Sequence, residues 1–214
     1  MLFESPLAAG LLGGLVQATS GGALYRKSTF LLDSLGKKVL PKHIDVIEDP
    51  HVLRGKGSSP FDDEGVVTRK RKVVDGGRLE GYFLSTYSAR KLGMKTTGNA
   101  SRGLAGNAGI GHGNFFIEAG VQTPEQLIAG IADGFYVTEL IGFGVNIVTG
   151  DYSRGAAGLW IRNGELAFAV SEVTIAGALQ EMLMGLEAVG SDLEFRGSVA
   201  APTLKIGEMT VGGK

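Results

Sequence analysis

Few side chains in this chain could carry a reaction. It has three histidines, His43, His51 and His112, one run of carboxylates, Asp62-Asp63-Glu64, and no cysteine. No two histidines stand three or four residues apart, so neither a His-Glu-x-x-His zinc helix nor the other paired-ligand spacings can be assembled. Without cysteine there is no thiolate metal site, Fe–S centre, disulfide or cysteine nucleophile. His112 has the most suggestive setting. In Gly111-His112-Gly113-Asn114, backbone freedom on both sides could aim the ring into a site; the alternative is a structural histidine. His43 falls in a predicted strand and His51 follows Pro50, and both read as structural or surface residues. The acidic run lacks the alternating ligands, spread over about a dozen residues, that a Ca²⁺ loop requires. It reads as an acidic turn.

Glycine is the other conspicuous residue type, at 35 of 214, well above the usual ~7%. A nucleotide cradle is the first reading to test. Gly106-Asn-Ala-Gly109-Ile-Gly111-His-Gly113 lies between a loop and a strand, whereas a dinucleotide fingerprint needs strand, glycines, then helix. Neither a Gly-Lys-Ser/Thr phosphate loop nor a Gly-x-Ser-x-Gly elbow occurs. The glycines fit turn chemistry instead. Gly36, Gly93 and Gly134 are placed to stop helices, Gly76, Gly77 and Gly164 to form hairpin turns, and the rest of the excess clusters in one loop from Lys95 to Gly113.

Lys plus Arg number 21 against 22 Asp plus Glu, for a net charge of −1. That balance argues against direct nucleic-acid binding. Arg69-Lys70-Arg71-Lys72 is a local exception, readable as a phosphate or acidic-partner patch or as a solvated strand whose charges discourage edge pairing. The longest apolar stretch, Leu7 to Val16, is short of the ~20 residues that cross a bilayer. Only Glu4 is charged before it, so it is not a signal peptide. A cytoplasmic protein without membrane association is the expectation. The chain opens directly into core-like sequence at Leu2, which predicts a further domain ahead of Met1.

These residues need a scaffold, and its elements are partly legible. Residues 5–18 read as a buried helix with Ser5 as N-cap and Pro6 at N1, and 28–40 as a short helix or turn. Residues 42–49 read as a strand. Residues 66–74 and 78–84 form a predicted hairpin around Asp75-Gly76-Gly77. A helix from Ser85 to Leu92 ends at Gly93, and a strand starts at Asn114. Thr123, Pro124 and Gln126 make a capping box for a helix that runs towards Gly134. Strands are predicted at 136–141, 145–148, 158–162 and 165–170, the last two about Asn163-Gly164. Ile175, Leu179, Met182 and Leu186 predict a helix over 174–188, and 202–211 alternates. The sum is an α+β, strand-rich domain, its mostly antiparallel sheets forming a barrel-like or sandwich core with a few flanking helices.

Several stretches, taken together and in order, resemble the TldD/PmbA family. They are Phe61-Asp-Asp-Glu-Gly65, Leu84-Ser-Thr-Tyr-Ser-Ala-Arg-Lys-Leu-Gly93, Thr97-Gly-Asn-Ala100, Gly142-Phe-Gly-Val-Asn146 and Thr149-Gly-Asp-Tyr-Ser-Arg-Gly-Ala-Ala-Gly158. The series continues through Asn163-Gly164, Ala169-Val-Ser-Glu172, Ile175-Ala-Gly177, Asp192-Leu-Glu-Phe-Arg196 and Ser198-Val-Ala-Ala-Pro202. The chain looks like the C-terminal half of the PmbA, or TldE, branch. The resemblance implies a cytoplasmic metalloprotease built as a TldD–TldE pair that acts on unfolded peptides. Family members are also described as modulators of DNA gyrase and as maturation factors for peptide antibiotics.

In the TldD branch the opening helix carries His-Glu-x-x-x-His, and a downstream cysteine completes the metal site. Here that helix reads Glu4-Ser-Pro-Leu-Ala-Ala-Gly-Leu-Leu-Gly-Gly and has neither. The resemblance therefore implies a chain with no catalytic residue and no metal or cofactor of its own. Its partner would be a TldD-like subunit that holds zinc, and its substrate an unfolded peptide; in isolation it would form a homodimer. Asn99, Ser101, Arg102 and His112 in the glycine loop are the candidates for peptide contact. An independent hydrolase using His112 with loop carboxylates, and a peptide-binding scaffold without turnover, are the alternatives.

Overall fold

The computed structural model describes residues 1–213. The chain begins with β1 (Leu2–Phe3), α1 (Ser5–Ala18) and α2 (Gly21–Tyr25), then β2 (Val46–Asp49), β3 (Arg71–Asp75), β4 (Arg78–Leu79) and α3 (Thr86–Leu92). The glycine loop contains β5 (Ala100–Ser101) and β6 (Gly109–Ile110), and β7 (Asn114–Ile117) and α4 (Pro124–Ala129) follow. The second half holds β8 (Asp133–Ile141), β9 (Asp151–Arg162), β10 (Glu165–Ala178), α5 (Leu179–Met184), β11 (Leu186–Val189), β12 (Val199–Ala200), β13 (Leu204–Ile206) and β14 (Thr210–Gly212).

These strands form a seven-stranded sheet in the order β11-β13-β1-β8-β9-β10-β14, a five-stranded sheet β12-β7-β2-β3-β4, and the β5-β6 pair. Pairing is antiparallel except for β1 with β8 and β12 with β7. The α+β, strand-rich expectation holds, and the sheets stay open and do not close into a barrel. One core unites them. Ala8, Leu11, Leu12 and Leu15 of α1 join Val46, Val73 and Phe115 of the smaller sheet to Phe135, Val137, Tyr152 and Ile175 of the larger. On the opposite face of the larger sheet, Leu127 and Ile131 pack on Leu2 and Ile161. Burial on this scale, roughly 25 cal/mol per Å² of apolar surface, is what fixes the sheets to α1.

Local chemistry explains several boundaries. Thr123 and Gln126 make the predicted capping box reciprocally, and Gly93 caps α3 at φ 65°. Asn163 and Gly164 both have positive φ, 51° and 81°, as the tight β9–β10 turn requires. At Gly77, φ is +77° and a side chain would collide with the Leu40 carbonyl oxygen, so only glycine fits.

Other expectations need correction. Ser5 lies inside α1, with Glu4 at the N-cap, because the Ser5 hydroxyl is drawn away to donate to the Ala201 carbonyl at 2.8 Å. Helix α4 ends at Gly130, and Gly134 is part of β8. His43 sits in a turn ahead of β2. Within 145–148 only Val145 bridges, to Tyr152, and the chain turns over 147–149. Of 174–188, only Leu179–Met184 is helical. Residues 174–178 pair with β9, and 174–176 with β14 as well, so backbone pairing on two sides overrides their helical spacing.

Among the described residues no helix is long and apolar enough to cross a membrane. At the far side of the larger sheet, β14 covers only Thr174 to Ala176 of β10. The outer edge of β10 from Glu165 to Val173 is unpaired among the described residues, and Leu166 and Phe168 are exposed along it.

Candidate functional site

Strand β2 lies between β3 and β7, so its residues are enclosed from both sides. That places a carboxylate, Glu48, at 3% exposure, where an unpaired charge would be costly. It is fully engaged. Arg71, its cross-strand neighbour on β3, donates through Nε at 2.7 Å. Asn99 donates through Nδ2 at 2.6 Å, and the Gly113 backbone N–H donates at 2.8 Å. Asn99 in turn accepts at Oδ1 from Arg71 Nη2 at 3.2 Å and from Thr97 Oγ1 at 2.6 Å. Its amide orientation is fixed by these partners, since a carboxylate can only accept and a guanidinium can only donate. The Arg71 guanidinium also lies over the Phe83 ring, 5.1 Å from its centroid.

The acidic turn pins the other side of the glycine loop. Asp62 accepts from Glu64 N and Val66 N through one oxygen and from Ala100 N through the other. Asp63 accepts from Arg102 N at 2.6 Å, and Glu64 from Thr86 N at the start of α3 at 2.7 Å. All three carboxylates therefore serve backbone N–H groups. Glu64 also places negative charge at a helix N-terminus, which is favourable.

Between these two clasps is a polar cavity of about 150 Å³, lined among others by Glu48, Asp62, Asp63, Asn99, Ser101 and His112. Three of the four predicted contact residues thus come together there. Arg102 does not line it; it is exposed, and its backbone is held by Asp63. The His112 ring packs beside the Phe83–Phe115 pair, its centroid 6.4 Å from each while theirs are 5.3 Å apart. Its Nδ1 is 2.7 Å from the Gly113 carbonyl oxygen. A carbonyl only accepts, so Nδ1 is the donor of this bond. No hydrogen bond joins Ser101 or His112 to a carboxylate among the described residues, so no nucleophile–base–orienter chain is assembled. The cavity suits hydrogen bonding to a polar chain better than covalent catalysis.

Glu48 is the member of this site that no motif marks; Asp62 and Asp63 read from the sequence as an acidic turn, and Arg71 as part of a basic run. The basic run is largely neutralised: Lys70 pairs with Asp49, Arg71 with Glu48, and Lys72 with Asp45 and Asp75. Burial raises the Asp49 carboxyl, but the His51 N–H and Lys70 outweigh it and hold the group below its usual range. Asp45 is held down in the same way, its burial outweighed by Lys72 and the Gly76 N–H.

Among the described residues no three His, Asp or Glu side chains gather so as to hold a metal ion, and α1 contains no histidine.

The sequence model of the PmbA/TldA metallopeptidase C-terminal domain matches residues 1–213. Similar proteins include the metalloprotease PmbA of Escherichia coli O157:H7, 46% identical over the whole chain, and a PmbA homologue of Haemophilus influenzae at 42%. The chain spans 46% of the length of each, about half of these curated relatives. A Bacteroides thetaiotaomicron crystal structure described as a modulator of DNA gyrase superposes with a TM-score of 0.91 at 32% identity, over 100% of this chain and 46% of that one. TldE from Thermococcus kodakarensis superposes at 0.88 with 28% identity, over 99% of this chain and 49% of that one. The chain belongs to the PmbA/TldA metallopeptidase C-terminal domain family.

Proposed function

We propose that this protein is the non-catalytic half of a two-subunit cytoplasmic peptidase and pairs with a metal-bearing TldD-like subunit. The observation that carries this reading is the side-chain content of α1 and its surroundings. A hydrolytic zinc needs three protein ligands and an open position for water, and this chain has no such set among its described residues. The proposal includes a further domain ahead of this one, because the matched family is defined as a C-terminal domain and the relatives are about twice as long.

The substrate in this reading is unfolded peptide. Its support is the unpaired outer edge of β10, which can take an extended chain as an added strand and read backbone rather than sequence. The polar cavity behind the glycine loop forms part of the chamber wall, where Asn99, Ser101 and His112 present hydrogen-bonding groups. In the absence of a partner the same edge favours a two-fold homodimer.

Elemental analysis of the full-length protein tests the assignment. After a chelator wash, zinc well below one per chain is expected. One tightly held zinc per chain would contradict it.

A further inference from the structure

Helix α1 contains Gly10 and Gly14 in its interior. Each costs roughly 1 kcal/mol relative to alanine there. Neither has a positive φ, and a Cβ built at either would meet nothing within 4 Å. Neither the backbone nor the packing of this chain requires glycine at these positions.

What the two glycines leave is a notch. With Leu7 and Leu11 they line a cavity of about 30 Å³ whose floor includes Tyr152 and Arg154 of β9. These two residues alternate onto the sheet face that α1 covers. Gly10 is exposed, so the cavity reaches the surface there. Tyr152 is 3% exposed and its hydroxyl has no hydrogen-bond partner. The Nε of Arg154 is also buried without an acceptor. The rest of that guanidinium bonds only the Leu140 carbonyl, at 3.3 Å, and no carboxylate pairs with it among the described residues.

We propose that this notch is a carboxylate-binding site, with Arg154 and Tyr152 as its donors. Three features select the ligand class. An Arg Nε can only donate, so the missing group is an acceptor. The guanidinium charge is uncompensated, which favours an anion over water. The space holds about two water-sized groups, the size of a carboxylate head and too small for a nucleotide. Burial pushes the Tyr152 phenol up to about 12, so it keeps its proton at neutral pH and can donate. The carboxylate comes from an Asp or Glu side chain or from a chain terminus. This site does not depend on the peptidase reading.

Acetate is the probe. The ¹H–¹⁵N cross-peak of Arg154 Nε is followed as sodium acetate is titrated against sodium chloride at matched ionic strength. A saturable shift with acetate alone is expected. Arg154→Gln removes the donor together with its cross-peak, so acetate affinity in that variant is read from the Tyr152 backbone amide; Gly10→Leu places a side chain at the mouth, where a Cβ meets nothing within 4 Å. Each should weaken acetate binding by at least about tenfold, a change of ~1.4 kcal/mol. An amidated peptide with one Glu and an apolar peptide with a free C-terminus then assign the source; if neither binds, the ligand is a small free carboxylate. No saturable acetate shift, or unchanged binding in folded Gly10→Leu, overturns the proposal.

Discussion

Asn99 donates to Glu48 across 2.6 Å although 51 residues separate them in the chain. This bond ties the glycine loop to the central strand of the smaller sheet. The same carboxylate holds Arg71 and the backbone of Gly113, so a single buried charge sets where Asn99, His112 and the cavity between them lie. Glu48→Ala should cost about 3–5 kcal/mol, because it strands the Arg71 guanidinium. Asn99→Ala should cost less, about 1–3 kcal/mol, since Glu48 keeps two donors. Urea unfolding of both variants checks the order, and a loss below 1 kcal/mol for Glu48→Ala would show that the network does not hold the loop.

Acid should loosen the β2–β3 face. Asp45 and Asp49 both titrate below their ordinary range in the folded state. A depressed folded value means the stabilisation is complete above the unfolded carboxylate value near ~3.9 and is lost as pH falls below it through the folded values. Unfolding free energy measured from pH 6 to pH 2 should drop over that lower range. In Asp49→Asn the drop should be shallower; an unchanged slope would assign the acid sensitivity elsewhere.

Gly13 of α1 lies outside the Tyr152–Arg154 notch, and a Cβ there meets nothing within 4 Å. Gly13→Ala should therefore stabilise the fold by ~0.4–1 kcal/mol, a rise of about 1–4 °C in Tm. Calorimetry decides this, and a lowered Tm would mean that the outer face of α1 is already in contact with something in solution.

The β10 edge makes a separate prediction. Phe168 is half exposed on this edge, stacked on Trp160. Lysine on an edge strand opposes pairing with another chain. Leu166→Lys together with Phe168→Lys, both exposed on this edge, should abolish binding of an unfolded peptide and reduce self-association, while Tm moves little. Retained peptide binding, measured by fluorescence anisotropy, would move the docking surface away from β10.

Much of the fold is legible locally. Asn163-Gly164, the Thr123/Gln126 box and Gly93 act through residues within four positions of one another, and each shapes the chain as its chemistry dictates. Ile175, Leu179, Met182 and Leu186 mislead because their spacing is helical while the first of them is held between two strands. The site is legible only as a loop. That Asn99 and His112 belong together is readable from the glycines around them. That Glu48 organises them depends on partners 23, 51 and 65 residues away, and no spacing rule reports such pairings.

In the proposed function, this chain supplies structure and binding to a peptidase whose metal belongs to another subunit. Hydrolysis of an unfolded peptide by the purified full-length protein, with and without an added TldD-like subunit, tests it most directly. No turnover by this protein alone, and chelator-sensitive turnover once the partner is present, is the expected result. Turnover by this protein alone, lost in His112→Ala, would contradict it.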